Sequence, residues 1–372
     1  MEYQLRVGLD VEIIDLESFY LIADHINSRY IKVKRNEYVE FIFKNINFGI
    51  GRDELLNRAK YKNLIVENVN ILLDELLKKG ILENARFPNG YIEKFGNTKK
   101  LIETVFNERF GYEIEWLTYF EREGADRFKI FQNIQGAKVI IIGAGGVGSN
   151  VAVLLAALGI GELTIIDADI VEESNLVRQL FYKESDCGKM KKITALKNYI
   201  SQFSSYTKVK VIDAYIKNNK DAQKYLEGSD IIIQTADTPR GIINEIVSDY
   251  CQKSKSAVLF CSNGTIGPFY MPNVSSCYRC FEKTLNEESN GLYDMFVNAL
   301  RETPSRVSPS VGMGPWLIAY YVCNEILQYF TNPKKIRTLD HYIRISDMGF
   351  KVEVISFEGS KDCACKCRGD KI

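Results

Sequence analysis

Apolar and polar positions in the middle of this chain follow each other in the order of a strand–helix–strand unit. Residues 139–142 are a short, continuous apolar run, which is typical of a buried parallel strand. A glycine-rich turn and an apolar helical segment come next, and residues 163–166 form a second apolar strand that ends in Asp167. This order predicts an α/β domain with a parallel sheet.

The turn between these two strands has the spacing G-x-G-x-x-G, at Gly143, Gly145 and Gly148. Glycines let the backbone bend tightly and let amide groups approach a phosphate, and the N-terminus of the next helix adds partial positive charge. Asp167 lies 19 residues after Gly148, where a carboxylate can accept hydrogen bonds from a ribose. We therefore predict a nucleotide site; a tight turn that binds nothing is the alternative.

The polar residues that follow favour ATP over a nicotinamide dinucleotide. A dehydrogenase has no evident need for Arg178 or Lys191, whereas attack on the α-phosphate of ATP builds negative charge that cations stabilise. The planar fork of Arg178 suits phosphate oxygens, and Lys191 supplies a point charge. Asp237, after an apolar run at residues 230–236, suits Mg²⁺ beside those phosphates. Solvated surface charges and a helix cap are the alternatives.

The motifs of this region resemble the ubiquitin-activating-type adenylating family: GAGGVGSN, IIDADIVEESNLVRQ, GKMKK, QTADTPR and CYRC. The resemblance runs from about residue 110 to the C-terminus. It implies a Rossmann-like, doubly wound adenylation domain, a homodimer, and adenylation of a carboxylate with ATP and Mg²⁺. The catalytic residues it implies are Arg178, Lys191 and Asp237, and the nucleotide-binding residues are Gly143, Gly145, Gly146, Gly148, Asp167, Asp169, Asn175, Arg178, Gln179, Lys191 and Asp237.

One feature of that family is missing. Its members carry an arginine, within an RYxRQ segment before the glycine turn, that reaches the partner subunit's site. Here the region reads EIEWLTYFEREGADRF, and alignment puts Glu115 at the position of that arginine. Arg122 and Arg127 are the substitutes that the segment offers. The contribution of a partner-subunit arginine therefore stays open.

Nine cysteines, without a signal peptide or an apolar stretch long enough to cross a membrane, predict a cytoplasmic protein with reduced thiols. Cys277 and Cys280 form a CxxC pair, and Cys363, Cys365 and Cys367 form a CxCxC cluster. Two thiolates from each group would complete a tetrahedral, structural Zn²⁺ site. Cys367 is the favoured ligand of the second group, with Cys363 or Cys365 as the fourth. A free or redox role for these thiols is the alternative.

Residues 281–310 are expected to form a polar crossover loop over the active site, where substrate would enter. Some relatives carry a nucleophilic cysteine there, but this segment has none. We therefore expect adenylation without an enzyme thioester. Cys261, in an apolar run, and Cys323, in an apolar helical stretch, are expected to be core thiols.

The first hundred residues carry no nucleotide motif and predict a second, smaller domain. The pattern resembles the winged-helix-like α+β peptide-clamp domain of enzymes that modify ribosomally made precursor peptides, among them those that mature microcin C and pantocin A. In such a domain a leader peptide adds a strand to a sheet edge. We therefore predict a peptide-clamp domain over 1–95 and an adenylation domain over 96–372. The expected elements are strands at 19–23, 30–33 and 81–83 and helices at 37–44, 53–59 and 65–77.

The resulting hypothesis is ATP-dependent adenylation of a carboxylate on a precursor peptide, followed by intramolecular capture by nitrogen. The 48 basic and 48 acidic residues cancel, which argues against a nucleic-acid partner. One alternative is adenylation of the C-terminal Gly of a ubiquitin-like sulfur-carrier protein. Another is a non-catalytic, peptide-presenting partner of a second enzyme.

Overall fold

The chain forms two compact units, Met1–Phe131 and Gln132–Ile372. The predicted domain bounds, 1–95 and 96–372, stay a prediction. The computed structural model describes residues 2–8, 10–25, 27–46, 49–87, 107–121, 126–262, 264–303, 311–346, 351–357, 359 and 363.

The first unit contains a three-stranded antiparallel sheet and a separate two-stranded pair. Buried apolar residues of the strands and of three helices, among them Ile22, Ile42, Leu55 and Leu73, form one core. Its elements are β1 (Glu2–Val7), β2 (Val11–Asp15), β3 (Phe19–Asp24), β4 (Arg29–Lys34), α1 (Glu37–Ile46), α2 (Arg52–Tyr61), α3 (Val66–Lys78), β5 (Leu82–Phe87), α4 (Asn107–Trp116), α5 (Thr118–Glu121) and α6 (Arg127–Gly136), which continues into the second unit.

The predicted hairpin, the three helices and the returning strand of this unit are confirmed. The hairpin is β3 paired antiparallel with β4, and the returning strand is β5, which pairs with β1. The sequence analysis did not predict β1 and β2. The side chains of β2 are exposed or half-buried, and such an edge strand carries too weak an alternation of apolar residues to stand out.

The second unit is built on a mixed sheet of eight described strands, in the order β13-β12-β11-β10-β9-β6-β7-β8. The predicted parallel strands at 139–142 and 163–166 are confirmed as β6 and β7. The strands are β6 (Lys138–Ile142), β7 (Glu162–Ile166), β8 (Lys208–Ile212), β9 (Ile231–Gln234), β10 (Ala257–Ser262), β11 (Thr265–Tyr270), β12 (His341–Ser346) and β13 (Lys351–Ser356), and the helices are α7 (Gly146–Ala157), α8 (Lys192–Phe203), α9 (Asn219–Tyr225), α10 (Ile243–Ser254), α11 (Tyr278–Glu288), α12 (Leu292–Glu302) and α13 (Met313–Thr331).

The direction in which strands are added reverses at β6. The chain runs from β6 to β7 and β8 on one side, and then returns to place β9 and β10 on the other side, all parallel. Such a reversal leaves a crevice at the carboxyl ends of the two central strands, which is where α/β sheets bind ligands. In this chain the crevice lies beyond Ile142 and Gln234.

The prediction of a crossover loop over 281–310 is wrong for most of these residues, which are helical. Helix α11 extends to Glu288, and α12 occupies Leu292–Glu302; residues 304–310 lie outside the described part. Asn290 and Gly291 both have positive φ, which allows the sharp turn between the two helices. The polar residues that suggested a loop include many on the exposed faces of these helices.

No helix among the described residues combines the length and the apolar character that crossing a membrane requires.

Glu282 on α11 gives the fold a pH dependence. Burial, and then the nearby Glu245, raises the pKa of Glu282 to about 7. Because this pKa is higher in the folded chain than in the unfolded one, the stability that Glu282 contributes is full at low pH and is lost as pH rises toward about 7. Glu282→Gln should therefore raise the free energy of unfolding at pH 8 by up to about 3 kcal/mol and by much less at pH 5.

Urea unfolding at the two pH values measures this effect. Glu287→Gln is the matched control, because Glu287 lies on the same helix and its side chain is 66% exposed. An equal stability change for Glu282→Gln at pH 5 and pH 8 would contradict the assignment.

Candidate nucleotide site and cysteine cluster

The glycine turn after β6 is as tight as its spacing predicts. Gly143 has φ +95°, and a Cβ there would lie 3.0 Å from the backbone nitrogen of Ala236. A Cβ on Gly148 would lie 1.9 Å from the carbonyl oxygen of Gly143. Only glycine therefore lets α7 begin this close to the strand. No side chain caps α7 at Gly145, so its first amide groups remain suited to an anion.

Three side chains from other parts of the chain hold this turn. The amide of Ala144 donates to the carboxylate of Asp167 at 2.6 Å, and its carbonyl accepts from the buried hydroxyl of Tyr182, also at 2.6 Å. The hydroxyl of Thr235 donates to the carbonyl of Ile142 at 2.8 Å. Burial raises the pKa of Asp167, although hydrogen bonds from two backbone amides act to lower it.

Asp167 is therefore part of the frame of the turn as well as the predicted ribose ligand. Sequence reasoning missed Tyr182 and Thr235. Tyr182 comes three residues after the predicted Gln179, and Thr235 directly follows β9 within the QTADTPR motif. Their closeness in sequence to predicted site residues was the one available signal.

The segment after Asp167 forms an ion-pair network. Burial alone would raise the pKa of Asp169, but hydrogen bonds from Lys192 at 2.7 Å and Tyr215 at 2.6 Å hold it below its usual value. Lys191 donates to the carbonyl of Ala168 at 2.7 Å and lies 3.1 Å from a carboxylate oxygen of Asp213. These are two contacts for an ammonium group with three N–H donors, so the third donor suits a phosphate oxygen.

Asn175 ends a short 3₁₀ turn, Glu173–Asn175, and Arg178 and Gln179 follow it within four residues. The buried amide of Asn175 accepts from the backbone of Glu172 at 3.0 Å. The carbonyl oxygen of Arg178 lies 3.6 Å from the position that a Cβ on Gly146 would take, so this segment borders the first turn of α7. Gln179 is buried, and its Oε1 has no hydrogen-bond partner among the described residues, which leaves an acceptor for a bound ligand.

Asp237 follows β9 at the same edge of the sheet. It is exposed, and among the described residues its carboxylate accepts only from the Thr238 hydroxyl, at 3.4 Å. A free carboxylate beside a phosphate site is what Mg²⁺ uses, because this ion takes one or two carboxylates together with phosphate oxygens. The residue at 237 therefore fits the predicted metal role.

Of the two possible substitutes for the missing arginine, the structure describes Arg127. Arg127 is fully buried, so it cannot reach a second subunit without leaving its place. The side chain of Glu115 and the whole of Arg122 lie outside the described residues.

Three cysteines from two separate segments of the second unit lie in one cluster. The Sγ of Cys277 lies 3.8 Å from that of Cys280 and 3.7 Å from that of Cys363, and all three lie within 4.8 Å of one another. Tetrahedral Zn–S bonds of about 2.3 Å put the sulfurs about 3.8 Å apart, so the three thiols fit a zinc ion. Cys365 and Cys367 lie outside the described residues.

Three further thiols, Cys251, Cys261 and Cys323, are poor candidates for a nucleophile. Cys251 and Cys261 are buried, and burial raises the pKa of both, so neither is a thiolate near neutral pH. Burial likewise raises the pKa of Cys323.

Comparison with known proteins now identifies the family. A profile of the ThiF family matches residues 119–367. The chain belongs to the ThiF family. The resemblance to adenylating enzymes is confirmed by this match, and so, at the level of the family, is the prediction of an ATP-dependent adenylating enzyme.

Among curated relatives, adenylyltransferase and sulfurtransferase UBA4 of Debaryomyces hansenii is 28% identical over 227 residues, which cover 56% of this chain and 50% of the relative. The chain thus spans about half the length of that relative. Among solved structures, Escherichia coli MccB with AMPCPP and MccA has a TM-score of 0.70 at 22% identity, with 97% and 99% of the two chains covered. PaaA has a TM-score of 0.66 at 18% identity, with 94% and 99% covered. At these identities the likeness shows a shared fold.

The hydroxyl of Tyr182 should be needed for ATP affinity. Tyr182→Phe leaves the Ala144 carbonyl without its buried donor, at a cost of about 1 kcal/mol, and should weaken ATP binding about three- to tenfold in isothermal titration. Tyr250→Phe is the matched control: it removes a tyrosine hydroxyl that bonds Ser254 on α10, away from the turn. Equal ATP affinities in Tyr182→Phe and in the unmodified chain would contradict this role.

Proposed function

We propose that this protein adenylates a carboxylate on a ribosomally made precursor peptide, and that a nitrogen of the same peptide then captures the acyl-adenylate. The observation that carries this proposal is a shared fold that includes the N-terminal unit. The likeness to MccB, a structure solved with AMPCPP and MccA, covers 97% of this chain, whereas the family profile starts at residue 119.

The nucleotide would lie at the carboxyl edge of β6 and β9. The amides at the start of α7 would bind the phosphates, and Asp167 the ribose. Arg178 and Lys191 would oppose the negative charge that builds up when the peptide carboxylate attacks the α-phosphate and pyrophosphate leaves. Asp237 would hold Mg²⁺, which neutralises phosphate charge when bound. Asp169, Asn175 and Gln179 would shape the wall of the site.

Adenylation makes the next step possible. A carboxylate is a poor electrophile, whereas an acyl-adenylate carries AMP as a good leaving group. The nitrogen attacks the carbonyl carbon, AMP leaves, and the nitrogen loses a proton, which yields an amide, an imide or a ring. Because both groups belong to one peptide, the capture is effectively intramolecular.

The first unit supplies an edge for the leader segment of such a peptide. Among the described residues β4 pairs with β3 alone, so its other edge is open to an added strand. Ile31 and Val33 of β4 face the core, while Tyr30, Lys32 and Lys34 are exposed. Backbone hydrogen bonds along β4 would provide affinity, and the two lysines would favour an acidic leader.

Activation of a ubiquitin-like sulfur-carrier protein is the second candidate, and the similarity to UBA4 favours it. A non-catalytic, peptide-presenting role is less consistent with the intact set Asp167, Asn175, Arg178, Lys191 and Asp237. The homodimer, which rests on the family resemblance, and the cytoplasmic location remain proposals.

Pyrophosphate exchange into ATP separates these candidates. We expect exchange with the peptide encoded by a short reading frame beside the gene, at least about tenfold weaker exchange without its leader, and none with a sulfur carrier that ends in Gly-Gly. Exchange with the carrier alone would favour the second candidate. No exchange with either substrate would favour the non-catalytic role.

Asp237→Asn should lower that exchange at least about a hundredfold, because the metal loses its carboxylate ligand, while leader binding stays unchanged. Asp221→Asn is the control, since Asp221 lies on α9 and its carboxylate accepts from the backbone amide of Lys217, just before that helix. Unchanged exchange in Asp237→Asn would reject the metal role.

We also propose that Cys277, Cys280 and Cys363 bind a structural Zn²⁺, with Cys365 or Cys367 as the fourth ligand. Elemental analysis should find about one zinc per chain. Cys277→Ser should lose the metal and lower the thermal midpoint by at least about 5 °C, because the ion links α11 to the C-terminal segment. Cys187→Ser, which alters a half-buried thiol outside the cluster, should keep the metal. A metal-free protein with unaltered stability would contradict the proposal.

A further inference from the structure

Helix α12 is hydrogen-bonded to the turn at residues 235–242, which carries Asp237, although the two are far apart in the sequence. We propose that Arg301, at the end of α12, is a positioning residue that holds this turn for Mg²⁺ and ATP. The inference rests on the proposed function, in which Asp237 is the metal ligand.

Arg301 bonds the turn at Gly241 and the start of α10 at Glu245. Its Nε donates to the carbonyl oxygen of Gly241 at 3.1 Å, and its guanidinium also pairs with the carboxylate of Glu245. A bond in the opposite direction joins the same two segments, since Arg240 donates to the carbonyl of Thr303 at 3.2 Å. The last turn of α12 is therefore hydrogen-bonded to residues 240–245.

The backbones themselves meet at Gly241. This residue has φ +65°, and a Cβ there would lie 2.9 Å from the carbonyl oxygen of Val297 and 3.3 Å from Cγ of Arg301. Only glycine allows the turn to adopt this conformation and α12 to come this close. A shift of α12 therefore moves the turn as well.

A partly buried polar network makes a second connection. The amide of Gln234 donates to the carbonyl of Ala236 at 2.6 Å and to Asn244 at 2.9 Å, and Asn244 donates to the hydroxyl of Tyr278 at 2.8 Å. Tyr278 in turn bonds the hydroxyl of Tyr293 on α12. The residue before the proposed metal ligand is thus linked to the same helix.

The side chain of Asp237 has little of its own to orient it. It is exposed, and among the described residues only the Thr238 hydroxyl contacts its carboxylate. Its direction therefore follows from the backbone of the turn, and Mg²⁺ tolerates little departure from octahedral geometry. Loosening the turn should weaken Mg²⁺-dependent nucleotide binding even though the ligand itself is kept.

The test measures binding of a non-hydrolysable ATP analogue to the full chain as Mg²⁺ is titrated. Arg301→Ala should raise the Mg²⁺ concentration for half-maximal binding at least about tenfold, and should speed hydrogen exchange at residues 236–245. The Mg²⁺ concentration that Arg301→Lys needs should lie between those of Arg301→Ala and the unmodified chain. Lysine can pair with Glu245 but lacks the planar fork that also reaches Gly241.

Arg279→Ala is the matched control. Arg279 forms a two-point ion pair with Asp249, at 2.8 and 3.0 Å, and joins α11 to α10 one helical turn beyond Glu245 without bonding the Asp237 turn. Its loss should leave the Mg²⁺ dependence unchanged. An equal Mg²⁺ dependence in Arg301→Ala and Arg279→Ala would overturn the inference alone. Absence of analogue binding in the unmodified chain would overturn both it and the proposed function. If Arg301→Ala does not fold, Arg301→Lys carries the same comparison.

Discussion

A Cβ on residue 148 would lie only 1.9 Å from the carbonyl oxygen of Gly143, so no residue other than glycine fits at this position. This contact lets α7 start directly behind β6, so the first amides of the helix open onto the edge of the sheet. Asp167, Tyr182 and Thr235 then bond the few backbone groups that the tight turn leaves inside. A larger residue at 148 would displace the helix and, with it, the anion site that the rest of the edge surrounds.

The reversal of strand order at β6 brings distant parts of the chain to that edge. The turn at Gly143 and the backbone at Ala236 are close neighbours although ninety-three residues separate them, because β6 and β9 are adjacent parallel strands. At that edge the Asp237 turn is also held by α12, because Arg301 donates a hydrogen bond to the carbonyl of Gly241. A ligand site at a sheet edge is thereby connected to helices that lie much later in the sequence.

Several predicted site residues are engaged with other protein groups. Lys191 pairs with Asp213, Asp169 with Lys192, and Asp167 with the backbone of the turn. These bonds hold the side chains in place at the edge where a nucleotide is expected. Gln179, whose buried Oε1 has no described partner, is instead left with an unused acceptor.

The sequence by itself determined the central strands, the glycine turn and the family. Buried parallel strands are continuous apolar runs, and a glycine that allows close backbone approach cannot be replaced, so both leave a local signal. It also indicated the cysteine cluster, because thiolate pairs at short spacing stand out in a chain without a secretion signal. Tertiary structure alone decided that Tyr182 and Thr235 hold the turn, that Asp213 pairs with Lys191, and that α11 and α12 replace the expected loop. These features depend on contacts between segments remote in sequence, which no local pattern records.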